Sequence, residues 1–185
     1  LHFDKEGVCT GCRVEEQKRK IDWNERAKML KELFDKYKSN TNYDCIIPVS
    51  GGKDSYFQTY YVTKILGLKP LLVTYHGNNY LPEGERNLQR MRKVFDVDHI
   101  IFRPSKELLV KMNRLCFMKM GDMNWHAHCG IFTYPVQIAM KFKIPLIMWG
   151  EHGPTDLSGM YSMNDFIEMT AKERLEYFLR GFDWY

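Results

Sequence analysis

Short apolar runs alternate along the chain with segments whose apolar residues recur at helical spacing. Four of these runs, at residues 45–49, 71–76, 99–103 and 145–149, have the length of buried strands. The intervening patterns predict helices near residues 53–66, 83–95, 106–115 and 132–142. Strands that alternate with helices predict a parallel sheet with helices on both faces, which is an α/β fold of Rossmann type.

Two further helices are predicted outside this alternation. Asp22 and Glu25 form a capping-box pattern, and the helix that they open is expected to end near Ser39. Thr170 has a reciprocal Glu three positions later and opens the last predicted helix, which closes at Gly181. These helices flank the predicted sheet at the two ends of the chain.

The residues Ser50-Gly51-Gly52-Lys53-Asp54-Ser55 follow the first predicted strand without a gap and lead directly into a helix. Adjacent glycines allow a tight turn that brings backbone N–H groups close to an anion, and the helix start adds unpaired N–H groups. Lys53 supplies a charge, and the two serines supply hydroxyls. The segment therefore predicts a phosphate-binding loop; a solvent-exposed Gly-Gly turn is the alternative.

Two common phosphate-binding loops do not fit this segment. The Walker A pattern requires Gly at the position of Ile47 and Ser or Thr at the position of Asp54. The G-x-G-x-x-G fingerprint of dinucleotide-binding folds is not present in the sequence. The loop therefore belongs to a different class.

Polar residues also lie at the carboxyl ends of the other predicted strands, namely His76, Arg103 and the run Gly150, Glu151 and His152. The carboxyl ends of parallel strands share one edge, and ligands bind there where the strand order reverses. We therefore expect these residues on the edge that carries the loop. Glu151 is predicted to bind magnesium together with the loop aspartate or to accept a proton from an amine; a surface acid is the alternative.

A predicted loop after Gly121 carries a second group of chemically active residues, Trp125, His126, His128 and Cys129. The two histidines could act as a general acid or base, because histidine titrates near neutral pH. Metal binding would crowd three ligands into four residues, which zinc sites seldom do. A buried Trp and His pair that shapes a pocket wall is the third interpretation.

The N-terminal segment contains a C-x-x-C pair, Cys9 and Cys12, out of five cysteines in the chain. Gly11 between them suits the tight turn of a zinc knuckle, but a structural zinc needs four ligands. The other two ligands would come from another chain, from distant residues or from sequence upstream. A redox-active or incidental pair is the alternative.

The composition changes this picture little. A chain of 185 residues with 44% hydrophobic and 27% charged residues is typical of one globular domain. The net charge of +4 comes from scattered Lys and Arg, so a nucleic-acid partner is not indicated. No apolar run approaches a membrane span and the first residues do not form a signal peptide, so we predict a cytoplasmic protein.

The hexapeptide S-G-G-K-D-S resembles the PP-loop of the ATP pyrophosphatases, which split ATP between the α and β phosphates. A longer set of segments is similar, in order, to the N-acetyl sugar amidotransferases, which are PP-loop enzymes of bacterial surface polysaccharide and nonulosonic acid biosynthesis. The resemblance covers residues 3–185 and is carried by F-D-K-E-G-V-C-T-G-C-R, K-I-D-W, S-G-G-K-D-S, W-H-A-H-C-G-I-F-T-Y-P and I-P-L-I-M-W-G-E-H-G.

This resemblance implies the PP-loop fold, which is similar to that of the adenine nucleotide alpha hydrolases. Residues 1–20 would form a zinc-knuckle-like segment, and residues 21–185 the ATP-binding domain. The family has a further cysteine pair upstream of Cys9 and continues beyond Tyr185. We therefore expect the chain to be a piece of a longer protein, with Cys9 and Cys12 as half of a zinc site.

The resemblance also implies an activity. ATP would adenylate the acetamido oxygen of a free or nucleotide-linked N-acetyl sugar, and ammonia from a separate glutaminase subunit would then displace AMP. Residues Ser50, Gly51, Gly52, Lys53, Asp54 and Ser55 would hold the pyrophosphate, with magnesium at Asp54. His76 and Gly150 would lie near the nucleotide, and His126, His128 and Glu151 would face the sugar or the ammonia.

Two other functions remain open at this point. A tRNA-thiolating enzyme would share the PP-loop, the C-x-x-C pair and the adenylation step, but it would need an active-site cysteine pair or an iron–sulfur site. Of the isolated cysteines, only Cys129 falls in a predicted pocket. A non-catalytic nucleotide sensor is the other alternative, and the intact S-G-G-K-D-S segment argues against it.

Overall fold

The computed structural model describes residues 2–151 together with residues 153, 175 and 181. The chain divides into two compact units, residues 1–33 with 151–185 and residues 34–150. The predicted C-terminal helix and His152 lie outside the described residues. The helices among the described residues include none that is long and apolar enough to cross a membrane.

In the first unit, a tight turn precedes helix α1 (Thr10–Lys18). Asp4 Oδ1 accepts hydrogen bonds from the backbone N–H groups of Glu6 and Val8, at 2.9 and 3.0 Å. Arg13 forms ion pairs with Asp4, Glu6 and Glu16 and so ties the helix to the turn. Helix α2 (Trp23–Tyr37) follows, with Asp22 accepting from two N–H groups of its first turn, as predicted.

The second unit is built on a parallel sheet of three strands, β1 (Cys45–Pro48), β2 (Pro70–Tyr75) and β3 (Asp98–Phe102). The strand order is β1-β2-β3, with Ile46 opposite Leu71 and Val73 opposite Ile100. The central residues of β1 and β2 are buried apolar side chains, as expected for a parallel sheet, whereas the central residues of β3 are only partly buried.

The predicted fourth strand is reduced to a single parallel bridge between Ile147 and Ile46. Ile46 N–H donates to Leu146 O at 2.9 Å, and Met148 N–H donates to Ile46 O at 2.8 Å. Pro145 has no N–H to donate at the start of this segment, which limits its pairing. The bridge nevertheless lies on the side of β1 opposite β2, so the strand order reverses at β1.

The remaining helices are α3 (Lys53–Tyr60), which continues as a π-helical turn (Tyr61–Ile65), α4 (Pro82–Phe95), α5 (Lys106–Met120) and α6 (Trp125–Phe142). Ile46, Leu71 and Val73 form one buried cluster with Ile138 and Ala139 of α6. Alternate side chains of a strand face opposite sides, so the buried Ile47 and Leu72 face the other side of the sheet. The sheet therefore has apolar residues on both faces, as predicted.

Helix α6 begins at Trp125, seven residues earlier than predicted, so the segment Trp125–Cys129 is helical rather than a loop. Asp122 and Asn124 supply the turn before it: Asn124 N–H donates to Asp122 Oδ1 at 2.9 Å, and Ala127 N–H donates to Asn124 O at 2.9 Å. Pro135 lies buried in the helix interior. The prediction of a loop was wrong because the cap lies further upstream.

Candidate active site

The predicted phosphate loop lies between β1 and α3 and passes very close to α4. Gly51 has φ +83°, a left-handed conformation that L side chains rarely adopt. A Cβ atom on Gly51 would lie 2.8 Å from Leu88 N and 2.9 Å from Leu88 Cα, both backbone atoms. Glycine is therefore required here for two independent reasons, the backbone conformation and the approach of α4.

Two serine hydroxyls hold the loop in shape. Ser50 N–H donates to Ser55 Oγ at 2.9 Å, and the two Oγ atoms are 3.3 Å apart. Gly52 N–H donates to Ser50 Oγ at 3.4 Å. Ser55 is buried, so its side chain serves the loop from the inside rather than facing solvent. Both serines stabilise the turn that presents the backbone to a ligand.

The first turn of α3 has no side-chain cap. Gly52 is the N-cap residue and has extended backbone, φ −76° and ψ 174°, and it offers no side chain to accept from the first N–H groups. These N–H groups have no acceptor within the helix. Phosphate oxygens are suitable partners for them, and the positive end of the helix dipole favours the same charge.

Lys53 and Asp54 pair with each other on the surface beside this opening. Lys53 Nζ lies 2.8 Å from Asp54 Oδ1 and 3.0 Å from Asp54 Oδ2. Both side chains are largely exposed, so the pair contributes little to stability and opens readily. The carboxylate of Asp54 suits Mg²⁺, which typically takes one or two protein carboxylates together with phosphate oxygens.

Neighbouring strands anchor the start of the loop. Thr74 Oγ1 donates to Val49 O at 2.6 Å, so its own oxygen can accept from His99 Nε2, 2.9 Å away. Burial lowers the pKa of His99 to about 4, and the ring is therefore neutral near pH 7. One side chain from each of β2 and β3 thus fixes the end of β1.

The structure places His76 in a hydrogen-bonded cluster at the same edge. His76 is buried, its ring stacks against Tyr80 at 4.1 Å, and its Nε2 lies 3.0 Å from Glu85 Oε2. Arg103 donates to the other oxygen of Glu85, and this bond is the main reason that the pKa of Glu85 falls to about 2. Glu85 therefore remains a carboxylate that joins the ends of β2 and β3.

The sequence did not single out Glu85 as a functional residue. It lies in the first turn of α4, nine residues after His76, and only the fold brings the two together. Arg103 was predicted at this edge of the sheet because it lies at the end of the third predicted strand, but the sequence did not pair it with Glu85. The one signal that could have identified Glu85 was an acidic residue in the first turn of the helix that follows a strand end. Acidic residues are common at the start of surface helices as well, so this signal is weak.

Gly150, predicted near the nucleotide, lies against the side chain of Gln58 on α3. A Cβ atom on Gly150 would be 2.9 Å from Gln58 Oε1. Gln58 is buried, and its Nε2 has no hydrogen-bond partner among the described residues. This amide donor lies one turn after Ser55, on the side of β1 where the strand order reverses. Sequence reasoning did not identify it.

The two predicted catalytic histidines have different surroundings. His126 is 8% exposed, and its Nε2 lies 2.5 Å from Asn113 Oδ1. Burial is the main cause that lowers its pKa. His128 is exposed on the same helix, and Glu151 is exposed just beyond the second unit. The structure thus keeps His126 as an interior residue and His128 as a surface residue.

Cys9 and Cys12 come together, with their Sγ atoms 3.4 Å apart. Cys9 is the N-cap of α1, and Cys12 N–H donates to its sulfur at 3.5 Å, which lowers the pKa of Cys9. The thiol of Cys9 in turn raises the pKa of Cys12. No third His, Cys, Asp or Glu joins them among the described residues, so the pair supplies only half of a zinc site.

A large open cavity of about 1040 Å³ lies at the opposite, amino-terminal edge of the sheet. It is lined by residues before or at the start of the strands, including Tyr43, Lys69 and Asp98. Tyr43 donates its hydroxyl to Asp98 Oδ2 at 2.7 Å. No glycine loop or helix start with the features of residues 50–55 lines this cavity among the described residues, so we place the chemistry at the carboxyl edge.

No protein-family model matches the chain, and no curated protein matches it. Among solved structures, it is similar to NH3-dependent NAD synthetase from Campylobacter jejuni subsp. jejuni NCTC 11168, with a TM-score of 0.54 and 10% identity over 77% of this chain. NMN synthetase from Francisella tularensis gives the same TM-score with 14% identity over 77% of this chain. The chain therefore shares the α/β fold of these two synthetases. The chain spans 62% and 60% of the lengths of these two structures.

A third structure, the U34-tRNA thiolase NcsA from Methanococcus maripaludis with its [4Fe-4S] cluster, has a TM-score of 0.48 and 17% identity. The match covers 84% of this chain and 51% of the thiolase chain. The identities to the two synthetases are low, so the likeness concerns the fold alone, and the predicted α/β fold with a parallel sheet is confirmed.

Proposed function

We propose that this chain is an ATP pyrophosphatase that converts the acetamido group of an N-acetyl sugar into an acetamidino group with ammonia. The observation that carries the proposal is the loop Ser50–Ser55, which has a left-handed glycine, an uncapped helix start and a lysine–aspartate pair in one place. Such a loop suits a pyrophosphate group in charge and in geometry.

The chemistry needs a good leaving group, because an amide nitrogen donates into its carbonyl and makes the carbon a poor electrophile. The amide oxygen attacks the α-phosphorus of ATP, the bond to the β-phosphate oxygen breaks, and pyrophosphate leaves. Ammonia then attacks the activated carbon, its surplus proton goes to a base, and the carbon–oxygen bond breaks to release AMP. The product is an amidine, and AMP retains the former amide oxygen.

The residues of the loop suit the first step. Charge develops on the bridging oxygen as pyrophosphate leaves, and the N–H groups at the start of α3 together with Lys53 would stabilise it. Asp54 would hold a magnesium ion, which supplies further positive charge to the phosphates. The ion pair between Lys53 and Asp54 is exposed and therefore weak, so exchanging this carboxylate for a phosphate oxygen costs little of the pair's energy.

The second step needs a proton acceptor near the incoming amine. Glu151 and His128 are the exposed candidates, and we assign them this role as a hypothesis. A fold relative is named as an NH3-dependent synthetase, which favours ammonia as the nucleophile. A glutaminase subunit as its source, the sugar as acceptor and a role in surface polysaccharide or nonulosonic acid biosynthesis rest on the sequence resemblance. We place the reaction in the cytoplasm, where ATP is available.

A structural zinc ion at Cys9 and Cys12 is part of the same proposal. Two thiols 3.4 Å apart can share one zinc ion, but two further ligands must come from outside the described residues. Zinc content of the full-length protein, compared with a Cys9→Ser variant, tests this point. One zinc per chain that is lost in the variant supports the site, whereas zinc-free folded protein contradicts it.

The experiment that tests the reaction measures pyrophosphate and AMP from ATP, Mg²⁺ and ammonium with the full-length protein. Acetamido sugars and their nucleotides, bulk tRNA and no acceptor form the parallel reactions. Stimulation by an acetamido sugar that disappears in Asp54→Asn supports the proposal. Stimulation by tRNA alone would replace it with thiolation, and nucleotide binding without any turnover would favour a sensor.

A further inference from the structure

A second cavity lies where the ends of β2 and β3 meet helices α5 and α6. Its volume is about 390 Å³, which is within the range of small-ligand sites. The side chains that matter for its chemistry are Tyr75, Phe102, Trp125, His126, Thr133 and Tyr134. No Lys, Arg, Asp or Glu is among the described residues that line it.

An aromatic cluster forms one wall of this cavity. The rings of Tyr75 and Phe102 stack at 5.6 Å, and Tyr134 lies 6.2 and 5.4 Å from them. Tyr75 is held against Gly130 of α6, where a Cβ atom would lie only 2.3 Å from its ring. The wall is therefore fixed by close packing, and it presents a flat apolar surface to a ligand.

His126 gives this cavity one defined polar group. Its Nε2 donates to Asn113 Oδ1, so in the neutral ring Nδ1 carries a lone pair. Burial lowers its pKa, which keeps the ring neutral. Nδ1 is buried and has no hydrogen-bond partner among the described residues. An unsatisfied buried acceptor is unfavourable. Because Nδ1 has almost no accessible surface, a ligand with a donor group would relieve it after a small rotation of the His126 ring towards the cavity.

The cavity lies beside the edge that carries the nucleotide loop. Gly77 follows His76 at the end of β2, and a Cβ atom on Gly77 would be 3.0 Å from the Cβ atom of Ala127. Ala127 is the neighbour of His126 on α6. The start of α6 is therefore packed against the carboxyl edge of the sheet.

We propose that this cavity holds the uncharged ring of the acetamido sugar, with an N–H or hydroxyl group of the sugar donating to His126 Nδ1. The inference rests on the proposed function and assigns its substrate a place. A nucleotide phosphate is a poor occupant, because no cationic side chain is among the described residues that line the cavity. His126 then serves as a binding residue whose acceptor is fixed by Asn113, rather than as the general base that the sequence suggested.

The test fills the cavity without touching the nucleotide loop. Thr133 lines the cavity and Ile131 does not, although both are exposed on α6, so Thr133→Trp and Ile131→Trp form a matched pair. A second variant, His126→Phe with Asn113→Leu, removes both hydrogen-bonding partners together and leaves no buried group unpaired. The full-length proteins are compared by the KM for the acetamido sugar, the KM for ATP and the thermal midpoint.

We expect Thr133→Trp and the double variant to raise the KM for the sugar about tenfold or more, the size of one lost hydrogen bond or contact. The KM for ATP and the behaviour of Ile131→Trp should stay as in the unmodified protein. Sugar-dependent turnover that both variants retain with unchanged KM overturns the cavity assignment alone. Absence of any sugar-dependent turnover in the unmodified protein overturns the proposed function and this inference together.

Discussion

The phosphate loop and the cavity beside α6 are two halves of one proposed reaction, but they are built in different ways. The loop consists of six consecutive residues whose conformation follows from one left-handed glycine and two serine hydroxyls. The cavity collects side chains from two strand ends and two helices, and its acceptor is defined by a partner thirteen residues away. A local site can be recognised from sequence, whereas an assembled site depends on the fold.

This difference also separates how the two regions respond to change. Loop residues such as Lys53 are exposed and can be altered with little effect on the folded state. Residues around the cavity, such as His126 and Gly130, are buried and support packing as well as binding. The predictions below test whether a change at an exposed loop residue lowers activity without lowering the stability of the fold.

The largest effect is expected for Lys53→Met. Loss of the charge should lower pyrophosphate release by about 100-fold to 1000-fold, because a preorganised charge at the leaving group disappears. Stability should change by less than about 0.5 kcal/mol, since the side chain is exposed. Lys64→Met is the control, at an exposed lysine at the other end of the same helical segment. Equal losses of activity in both variants would contradict the assignment.

Gly51→Ala tests the geometry of the loop rather than its charge. Both Gly51 and Gly67 have positive φ, but a Cβ on Gly67 would meet nothing within 4 Å. Gly67→Ala should therefore cost only the conformational strain, about 1 kcal/mol, whereas Gly51→Ala should cost about 3 kcal/mol because α4 must also move. Urea denaturation of both variants gives these values, and similar losses would show that the contact with Leu88 is unimportant.

His99→Gln tests the anchor of the loop through pH. The folded pKa of His99, about 4, is below its usual 6.5, so between these values the unfolded chain binds the extra proton. Stability should therefore fall as the pH decreases from 6.5 to 4, by about 2 kcal/mol, given the partial exposure of the ring. The variant should lose this part of the pH dependence. An identical slope in both proteins would argue that His99 titrates normally.

The smallest effect is expected for Glu85→Gln. Its carboxylate accepts from Arg103 and His76, and its folded pKa of about 2 means that this stabilisation is present above the unfolded value and is lost as the pH falls towards 2. We expect a loss of about 1 kcal/mol at neutral pH, because the side chain is partly exposed. Glu83→Gln, on the same helical turn with an exposed partner, should change stability by less than about 0.5 kcal/mol.

The sequence predicted the fold well where a single element carries the signal. The three central strands, the loop and the helix that follows it were all predicted within one or two residues, because apolar runs and glycines act locally. The fourth strand was predicted too long. Its apolar run has the length of a strand, but only Ile147 forms a bridge to β1, and such pairing depends on the sheet and not on the run alone. The start of α6 was missed because its N-cap, Asn124, lies upstream of the apolar pattern that predicted the helix.

The contacts that join different elements of the site could not be predicted from the sequence. Nothing in the sequence pairs Glu85 with His76, Gln58 with Gly150 or Asn113 with His126, because each contact joins different elements. Either histidine of W-H-A-H-C was a candidate acid or base, and the sequence did not distinguish them. Helical geometry directs residues two positions apart to different sides. His126 is buried and His128 is exposed, so only the folded chain shows that their roles differ.

The bond from Thr74 to the carbonyl of Val49 has a further consequence for how a nucleotide arrives. Because the end of β1 is tied to β2 and, through His99, to β3, the loop is ordered before any ligand is present. The conformational entropy of the turn is lost when the protein folds and not when the nucleotide binds. Association should then be limited by diffusion and by electrostatic attraction, with a rate that falls as salt is added, rather than by slow closure of the loop.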